Sequence, residues 1–395
     1  MISAEEALQL VRQYKVTLEV EEVALLKSLH RVLAQEVKAD RDFPPFDRVT
    51  MDGIAIRAED FLSGLRSFPI AQLQAAGAPQ TSLDQAGTCI EIMTGAMLPR
   101  NANAVVPYEV CIIQDGIATI QAEQVVKGQN IHVQGSDEKV GATLIAAGTK
   151  ITPAMIGTLA SVGLSRVQVY SLPKIAICST GDELVEVHET PLPHQIRRSN
   201  AYMLAAALLE EHLQANLFHL PDHPELMHEN LSSIIQEHDV VLLSGAVSKG
   251  KFDFLPHVLE QLGLELVFHK IAQKPGKPML FGTLPAGKIV FGFPGNPVST
   301  FVCYHLYFRA WLQASLGLPP QQQSAQLAQP ITYKPALTYH VPVVLRNEEG
   351  ILKAIPVSTT GSGDLTSILK AKALLSLPTN KTEFKEDEWY PLTLL

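Results

Sequence analysis

The chain has 395 residues, of which 46% are hydrophobic and 18% charged, and its 40 acidic and 31 basic side chains give a formal net charge of −9. At roughly 150 residues per domain this length predicts two to four domains, and the acidic balance without a basic stripe argues against a nucleic-acid partner. No apolar run of about 18 residues occurs, so we expect no membrane-spanning helix. The four cysteines are widely spaced, which argues against a zinc site or a disulfide scaffold and predicts a cytoplasmic protein.

The amino-terminal part begins with helical patterns. Ser3 stands three positions before Glu6, the spacing of a capping box, and predicts a helix over residues 3–13. A second helical pattern covers residues 21–29. The proline-bearing segment 40–51 that follows indicates the entry into a new module.

Residues 53–135 are typical of a small all-β module. Short apolar runs separated by Gly, Asp and Pro predict strands at 54–56, 88–93, 104–109 and 117–121. Helical and strand patterns return over residues 139–170, where Thr152 and Pro153 mark a helix start. The β-module is therefore expected to be inserted into a discontinuous helical or mixed domain.

From Lys174 onward strand and helix patterns alternate, which predicts a doubly wound, mainly parallel sheet. The predicted strands are 174–178, 215–220, 239–243, 265–270 and 288–293, and the predicted helices are 200–213, 224–236, 253–262 and 298–314. A glutamine-rich linker at 321–323 then leads into a small β-rich domain. Its predicted strands are 338–345, 351–357 and 373–377.

Two proline-rich turns are the most informative features of the sheet domain. The turn Pro294-Gly295-Asn296-Pro297 follows a strand and opens a helix, which is where α/β proteins hold anionic ligands. The segment Lys274-Pro275-Gly276-Lys277-Pro278 adds two ammonium groups on backbones that the prolines hold extended. An anion or phosphate site is favoured, with a rigid turn and two solvated lysines as the alternative.

Two further strand ends carry polar side chains. Strand 174–178 runs into Asp182 and Glu183, which can hold Mg²⁺ or a heterocycle's N–H groups, or can belong to a capped helix start. Strand 239–243 runs into a loop of small residues with Ser248, whose hydroxyl can meet phosphate. Asp253 ends that loop and can ligate a metal or cap the next helix, and the pattern alone favours the cap.

Nine short strings follow one another in an order that resembles the molybdopterin molybdenumtransferases, the MoeA family, which share their core with the E domain of gephyrin. The resemblance covers essentially the whole chain. The strings are Met51–Gly53, Thr94–Ala96, Gly128–Ile131, Ser179–Leu184, Ser199-Asn200, 244–253, Lys274–Pro278, Pro294–Pro297 and Gly361–Gly363.

The resemblance implies a multidomain α/β fold and a homodimer. A doubly wound molybdopterin-binding domain is expected at 173–319, flanked by an elongated, discontinuous dimerisation domain at 1–40 and 138–172. The inserted β-module would occupy 41–137, and a β-barrel-like domain 320–395. Active sites in the family lie between the sheet domain of one subunit and the β-module of the other.

The resemblance also implies an activity, in which molybdate enters adenylated molybdopterin with Mg²⁺ and AMP and molybdenum cofactor are released. A molybdopterin adenylyltransferase is the expected donor of the pterin. The residues carried over by position fall into three groups. The catalytic residues would be Asp52, Thr94, Glu183 and Asp253, of which Glu183 and Asp253 would also hold the metal. The lysines Lys274 and Lys277 would bind molybdate or phosphate, and Ser248, Pro294, Pro297, Asp182, Asp222 and Asp137 would contact or shape the substrate site.

Some positions depart from the family pattern. Ile54 follows Gly53 where the family commonly has tyrosine, and Ala246 adds a methyl group in the 244–253 loop.

The alternative function from another class is that of a molybdopterin-binding or scaffolding protein without turnover. An adenylyltransferase is a third, disfavoured because that activity belongs to a single sheet domain. The full set of carboxylates and both lysines favours the enzyme.

Overall fold

The structure is a computed structural model that describes residues 1–245 and 254–395. The chain divides into two units. The larger unit comprises Met1–Glu22, His30–Val32 and Gln168–Leu395, and the smaller unit comprises Val23–Leu29 and Leu33–Val167. The predicted residues Ser248 and Asp253 lie outside the described residues.

The larger unit begins with the helix Ala4–Gln13, which confirms the first predicted helix. The Ser3 hydroxyl accepts a hydrogen bond from the Glu6 backbone N–H at 3.0 Å and so satisfies one of the free donors of the first turn. The helix buries Ala7 and Val11 in the apolar core of this unit.

A six-stranded sheet forms the centre of the larger unit. In spatial order its strands are Ala215–Leu220, Ile175–Thr180, Val240–Ser244, Lys288–Phe293, Leu280–Leu284 and Glu265–Phe268. The first four are parallel. Leu280–Leu284 pairs antiparallel with Lys288–Phe293, and Glu265–Phe268 pairs antiparallel with Leu280–Leu284. Separate apolar cores cover its two faces, so the predicted doubly wound, mainly parallel sheet is confirmed.

The helices of this domain pack on those two cores. They are Ser199–Glu210, Pro224–Glu237, Leu255–Gln261 and a last helix that runs through three stretches, Pro297–Cys303, the π-helical turn Tyr304–Phe308 and Arg309–Ser315. We call this last element the 297–315 helix. It begins directly after the Pro-Gly-Asn-Pro turn.

The carboxyl-terminal region is a closed five-stranded barrel, which confirms the predicted β-barrel-like domain. Around the ring the strands are Thr338–Glu348, Ile351–Pro356, Gln323–Leu327, Trp389–Leu394 and Ala373–Leu377, and the last pairs again with the first. The linker predicted at 321–323 is shorter than expected because Gln323 already begins a barrel strand. The short strand Gln273–Lys274 lies parallel to Thr338–Tyr339 at the rim.

The smaller unit contains a six-stranded sheet that forms a half-barrel. Its strands in order are Ala104–Pro107, Gly53–Ile56, Cys89–Ile92, Ser67–Gln74, Ile117–Ile120 and Cys111–Gln114, with one short helix at Ala58–Leu62. The four predicted strands are confirmed. Two-stranded ladders join Val37–Lys38 to Thr143–Ile145 and Arg48–Val49 to Ile131–His132. The helix Pro153–Ser161 starts where Thr152 and Pro153 predicted it.

The helix predicted at 21–29 is wrong, and several strands were not predicted. Residues 21–29 form the strand Val20–Ala24 and a 3-10 turn at Leu25–Ser28 instead of a helix. The strands that were not predicted include Ser67–Gln74, Cys111–Gln114, Leu280–Leu284 and Trp389–Leu394. The strand Val20–Ala24 shares a two-stranded sheet with Arg166–Tyr170. The remaining short elements are Leu184–Val185, Ile196–Arg197, Ile331–Thr332, Glu383–Phe384, Leu365–Ile368, Tyr108–Val110 and Pro285–Gly287. Across residues 1–245 and 254–395, no helix has the length and apolarity needed to cross a bilayer.

Candidate functional site

A cleft of about 400 Å³ lies in the larger unit where two loops of the sheet domain meet the barrel. It contains three of the predicted residues, Lys274, Lys277 and Pro294, and Pro297 lies between two of its lining residues, Asn296 and Val298. The other lining residues are Gln273, Pro275, Gly276, Pro278, Ser299, Leu337, Tyr339, His340, Pro342, Thr359, Thr360, Gly361 and Ser362. None of the lining residues within the described ranges is acidic, so the cleft carries net positive charge.

The Lys-Pro-Gly-Lys loop is held in a left-handed turn. Gly276 has φ of +87°, and a Cβ there would lie 2.4 Å from the Cys303 Sγ atom and 2.8 Å from the Gln273 Nε2 atom. Only glycine fits this position, because both the backbone conformation and the space exclude a side chain. The turn places two lysines three residues apart on one rigid loop.

Lys274 lies beside two stacked tyrosine rings of the barrel domain. Its Nζ atom is 5.7 Å from the centroid of Tyr333 and 5.6 Å from that of Tyr339, and the two centroids are 4.5 Å apart. The ring faces attract the ammonium group without neutralising it. Where the structure describes the chain, no carboxylate pairs with Lys274 or Lys277, so both charges remain available to an anion.

The Pro-Gly-Asn-Pro turn is tied to its surroundings on several sides. The Thr300 hydroxyl donates to the Pro294 carbonyl at 2.5 Å, and the Asn296 side chain donates to the Ser362 hydroxyl at 2.9 Å. The Asn200 side chain donates to the carbonyl of Gly295 at 2.8 Å. The turn is therefore fixed before any ligand arrives, as an anion site of fixed geometry requires.

Three of the predicted acids meet at the carboxyl ends of two neighbouring parallel strands. Asp182 and Glu183 follow the strand Ile175–Thr180, and Asp222 follows Ala215–Leu220. The Asp222 backbone N–H donates to Asp182 Oδ1 at 3.2 Å. Partial burial, together with the negative charges of Asp182 and Glu183, raises the pKa of Asp222.

This acidic group supplies the oxygen donors that Mg²⁺ prefers. Of the residues that the structure describes, no three His, Cys, Asp or Glu side chains converge as a complete metal site.

In the smaller unit, Asp52 and Thr94 form one constellation. Asp52 Oδ1 accepts from the Thr94 backbone N–H at 2.6 Å and from the Thr94 hydroxyl at 2.7 Å. These two bonds, the hydroxyl first, lower the pKa of Asp52. The next position, 53, requires glycine because a Cβ there would lie 2.0 Å from the carbonyl oxygen of Val106 on the neighbouring strand. The Met-Asp-Gly string thus sets an exposed carboxylate at a strand start.

Asp137 belongs to a second constellation of the smaller unit. Its Oδ1 atom lies 2.7 Å from His132 Nε2, and Arg48 Nη2 lies 3.1 Å from His132 Nδ1. Because a guanidinium can only donate, His132 accepts at Nδ1 and donates from Nε2 to Asp137. The three side chains form one directed chain of hydrogen bonds.

Comparison with known proteins decides the family. Three protein-family models match consecutive parts of the chain: the MoeA N-terminal region (domain I and II) at residues 2–163, the probable molybdopterin binding domain at 176–314 and the MoeA C-terminal region (domain IV) at 324–395. The molybdopterin molybdenumtransferase of Synechocystis sp. is 39% identical over 368 residues, or 92% of each chain. The chain belongs to the MoeA family.

Other MoeA proteins agree over the full length. The molybdopterin molybdenumtransferase of Bacillus subtilis is 32% identical, with 95% of this chain and 90% of that protein covered. Two crystal structures of MoeA proteins from Pyrococcus horikoshii superpose with TM-scores of 0.83 and 0.82 at 30% and 28% identity. Each superposition covers 100% of this chain, and 99% and 100% of the respective neighbour.

The structure adds residues to the candidate site that the sequence did not indicate. Tyr333 and Tyr339 flank Lys274, and Asn296 bonds across to Ser362. The Tyr residues carried no signal, because only the fold of the barrel brings them to the loop. Ser362 had one, since it lies in the Gly361–Gly363 string that contributed to the MoeA resemblance.

Proposed function

We propose that this MoeA-family protein is a molybdopterin molybdenumtransferase of molybdenum cofactor biosynthesis, which inserts molybdate into adenylated molybdopterin and releases AMP and molybdenum cofactor. The observation that carries the proposal is the cleft with two lysines that pair with no carboxylate of residues 1–245 and 254–395. Family membership supplies the pterin substrate and the transferase class.

The cleft suits an oxyanion such as molybdate. Lys274 and Lys277 contribute two positive charges on a rigid loop, and no described lining residue opposes them with a carboxylate. Hydroxyl groups of Ser299 and Ser362 line the same cleft and can donate to oxo groups. Fixed donors of this kind bind a dianion without having to reorganise around it.

We assign the acidic group to the phosphate end of the substrate. Glu183 would hold Mg²⁺ together with Asp253, as the resemblance implies, with Asp182 beside them, and the bound ion would offset charge on the phosphoanhydride oxygens. Asp222 lies beside them with a raised pKa. A bound cation would offset the negative charges of Asp182 and Glu183 that contribute to this raised pKa.

We assign the two constellations of the smaller unit to substrate contact. Asp52 is held ionised by Thr94, and Asp137 is oriented by His132. We also propose a homodimer that receives adenylated molybdopterin from an adenylyltransferase, which rests on family membership. A reducing, cytoplasmic location fits the four cysteines, all of which are free thiols.

The test is single-turnover release of AMP from adenylated molybdopterin with Mg²⁺, in the presence and absence of molybdate. We expect release that depends on molybdate and that reconstitutes an apo-molybdoenzyme. Asp52→Asn and Asp253→Asn should abolish this release and leave folding intact. Unchanged turnover in both variants would remove these residues from the reaction.

Two other outcomes would replace the proposal. Tight pterin binding without molybdate-dependent release would make the protein a binding or scaffolding member of the family. Release of pyrophosphate from ATP in the presence of molybdopterin would make it an adenylyltransferase.

A further inference from the structure

A buried network lies beneath the Lys-Pro-Gly-Lys loop and connects it to the 297–315 helix. Gln273, Cys303 and Tyr307 are its members, and each is at most 1% exposed. None of the three is charged. Gln273 and Cys303 contact the loop that carries both lysines, and Tyr307 bonds to Gln273.

The hydrogen bonds of this network have a fixed direction. The Gly276 carbonyl accepts from Gln273 Nε2 at 3.2 Å and from the Cys303 thiol at 3.7 Å. A carbonyl can only accept, so the amide group of Gln273 faces Gly276 and its Oε1 faces the Tyr307 hydroxyl, which donates to it. Burial raises the pKa of Tyr307, so this hydroxyl keeps its proton.

The network holds the loop at Gly276, which lies between the two lysines. Gly276 stands two positions after Lys274 and one before Lys277, and its left-handed turn leaves no space toward Cys303. The Lys277 carbonyl is held as well, since it accepts from the Ile271 backbone N–H at 3.0 Å. If the Gly276 carbonyl lost its partner, the turn could relax and the two ammonium groups would lose their common geometry.

The same helix also fixes the second loop of the cleft. Thr300, in its first turn, donates to the Pro294 carbonyl, and Tyr307 lies within the π-helical turn Tyr304–Phe308. A π-helical turn is rare and is frequently found at functional sites. Here it occurs where the helix meets the loop of the lysines.

We propose that Tyr307, through Gln273, is a positioning residue for the oxyanion site, and that the 297–315 helix sets the relative geometry of the two proline-rich loops. This inference rests on the proposed function of Lys274 and Lys277. Tyr307 acts on the substrate only through the Gly276 carbonyl.

The chain offers a matched control in the same π-helical turn. Tyr304 is also fully buried, but its hydroxyl has no hydrogen-bond partner among the described residues. Tyr307→Phe therefore removes a bond that orients the loop, whereas Tyr304→Phe removes a hydroxyl of the same size from the same helix without breaking one.

The experiment measures amide exchange, molybdate affinity and turnover on the full-length protein, wild type and both tyrosine variants. Amide hydrogen exchange is followed in the segment 271–279, and the affinity for sodium molybdate is measured by calorimetry. Tyr307→Phe should speed exchange in this segment and weaken molybdate binding about fivefold, because it leaves the buried Gln273 oxygen unpaired. In turnover, the apparent KM for molybdate should rise while kcat changes little. Tyr304→Phe should leave all of these at wild-type values.

A Lys277→Gln variant separates failure of the inference from failure of the proposed function. If Lys277→Gln weakens molybdate binding but Tyr307→Phe matches Tyr304→Phe in exchange and affinity, the positioning role is wrong and the oxyanion site stands. If Lys277→Gln binds molybdate as tightly as wild type, the oxyanion site falls, and with it the substrate role of Tyr307.

Discussion

Replacing Gly276 by alanine should damage the site more than any other single methyl group added to the two proline-rich turns. The new Cβ would lie 2.4 Å from Cys303 Sγ and 2.8 Å from Gln273 Nε2, distances at which the buried neighbours must move. The backbone also has φ of +87°, where a non-glycine residue is strained by about 1 to 2 kcal/mol. Overpacking of a core position adds about 1 to 3 kcal/mol.

The expected loss is therefore about 3 kcal/mol in the free energy of unfolding of the domain that holds the loop. Scanning calorimetry should show its transition lowered by about 6 to 12 °C, and molybdate binding should be lost with it. Gly295→Ala is the matched control in the other turn. Its Cβ would meet nothing closer than 3.8 Å, and its φ is not positive, so its transition should stay near that of wild type.

A double variant tests the cause of the loss. Cys303→Ala removes the sulfur that the new methyl group would meet, so it should restore part of the stability of Gly276→Ala. The Gln273 contact and the backbone strain would remain. A Gly276→Ala protein as stable as Gly295→Ala would refute the reasoning, because it would mean that the loop is not packed against the 297–315 helix.

Three further predictions concern titratable groups. Thr94→Val removes one of the two bonds that lower the pKa of Asp52, so the NMR titration of that carboxyl should move up toward 3.8, its ordinary value, whereas an unchanged titration would place Asp52 elsewhere. The pKa of Asp222 is raised in the folded protein, so the free energy of unfolding falls as pH rises through that pKa. Urea unfolding should therefore find Asp222→Asn slightly more stable than wild type at pH 7 but not at pH 3. Burial lowers the pKa of His340 to about 4, so stability should fall as pH drops from about 6.5 toward 4, and His340→Phe should flatten this decline in a pH series of melting curves.

Local signals were enough to predict much of the fold. Ser3 and Thr152 cap their helices as expected, since a cap depends on residues within one turn. The alternation of strand and helix patterns from Lys174 onward predicted the doubly wound sheet, because each pattern depends on residues close in sequence. The strand ends that carry Lys274, Glu183 and Pro294 followed from this alternation and from the glycines and prolines.

Long-range pairing explains what the sequence did not indicate. Residues 21–29 have a helical pattern, but Leu25 N–H donates to the carbonyl of Ser165 at 2.9 Å, a partner 140 positions along the chain. The strand Leu280–Leu284 was hidden by Gly282, whose Cβ would lie 2.7 Å from the Glu265 carbonyl oxygen of the paired strand. Gln323 begins a strand only because barrel closure supplies its partner.

In the candidate site too, local sequence predicted some features, whereas others depend on long-range contacts. Proline and glycine content identified both loops of the cleft, because these residues restrict the backbone wherever they occur. The tyrosines beside Lys274 and the Gln273–Tyr307 contact could not be read from the sequence. They depend on the barrel and the 297–315 helix arriving at the same loop.

The most direct test of the oxyanion site is anomalous X-ray diffraction from crystals soaked in molybdate and measured at the molybdenum edge. We predict an anomalous peak in the cleft beside Lys274 and Lys277, and its loss in crystals of Lys277→Gln. A peak of equal height in that variant, or molybdenum bound only outside this cleft, would contradict the assignment of the site.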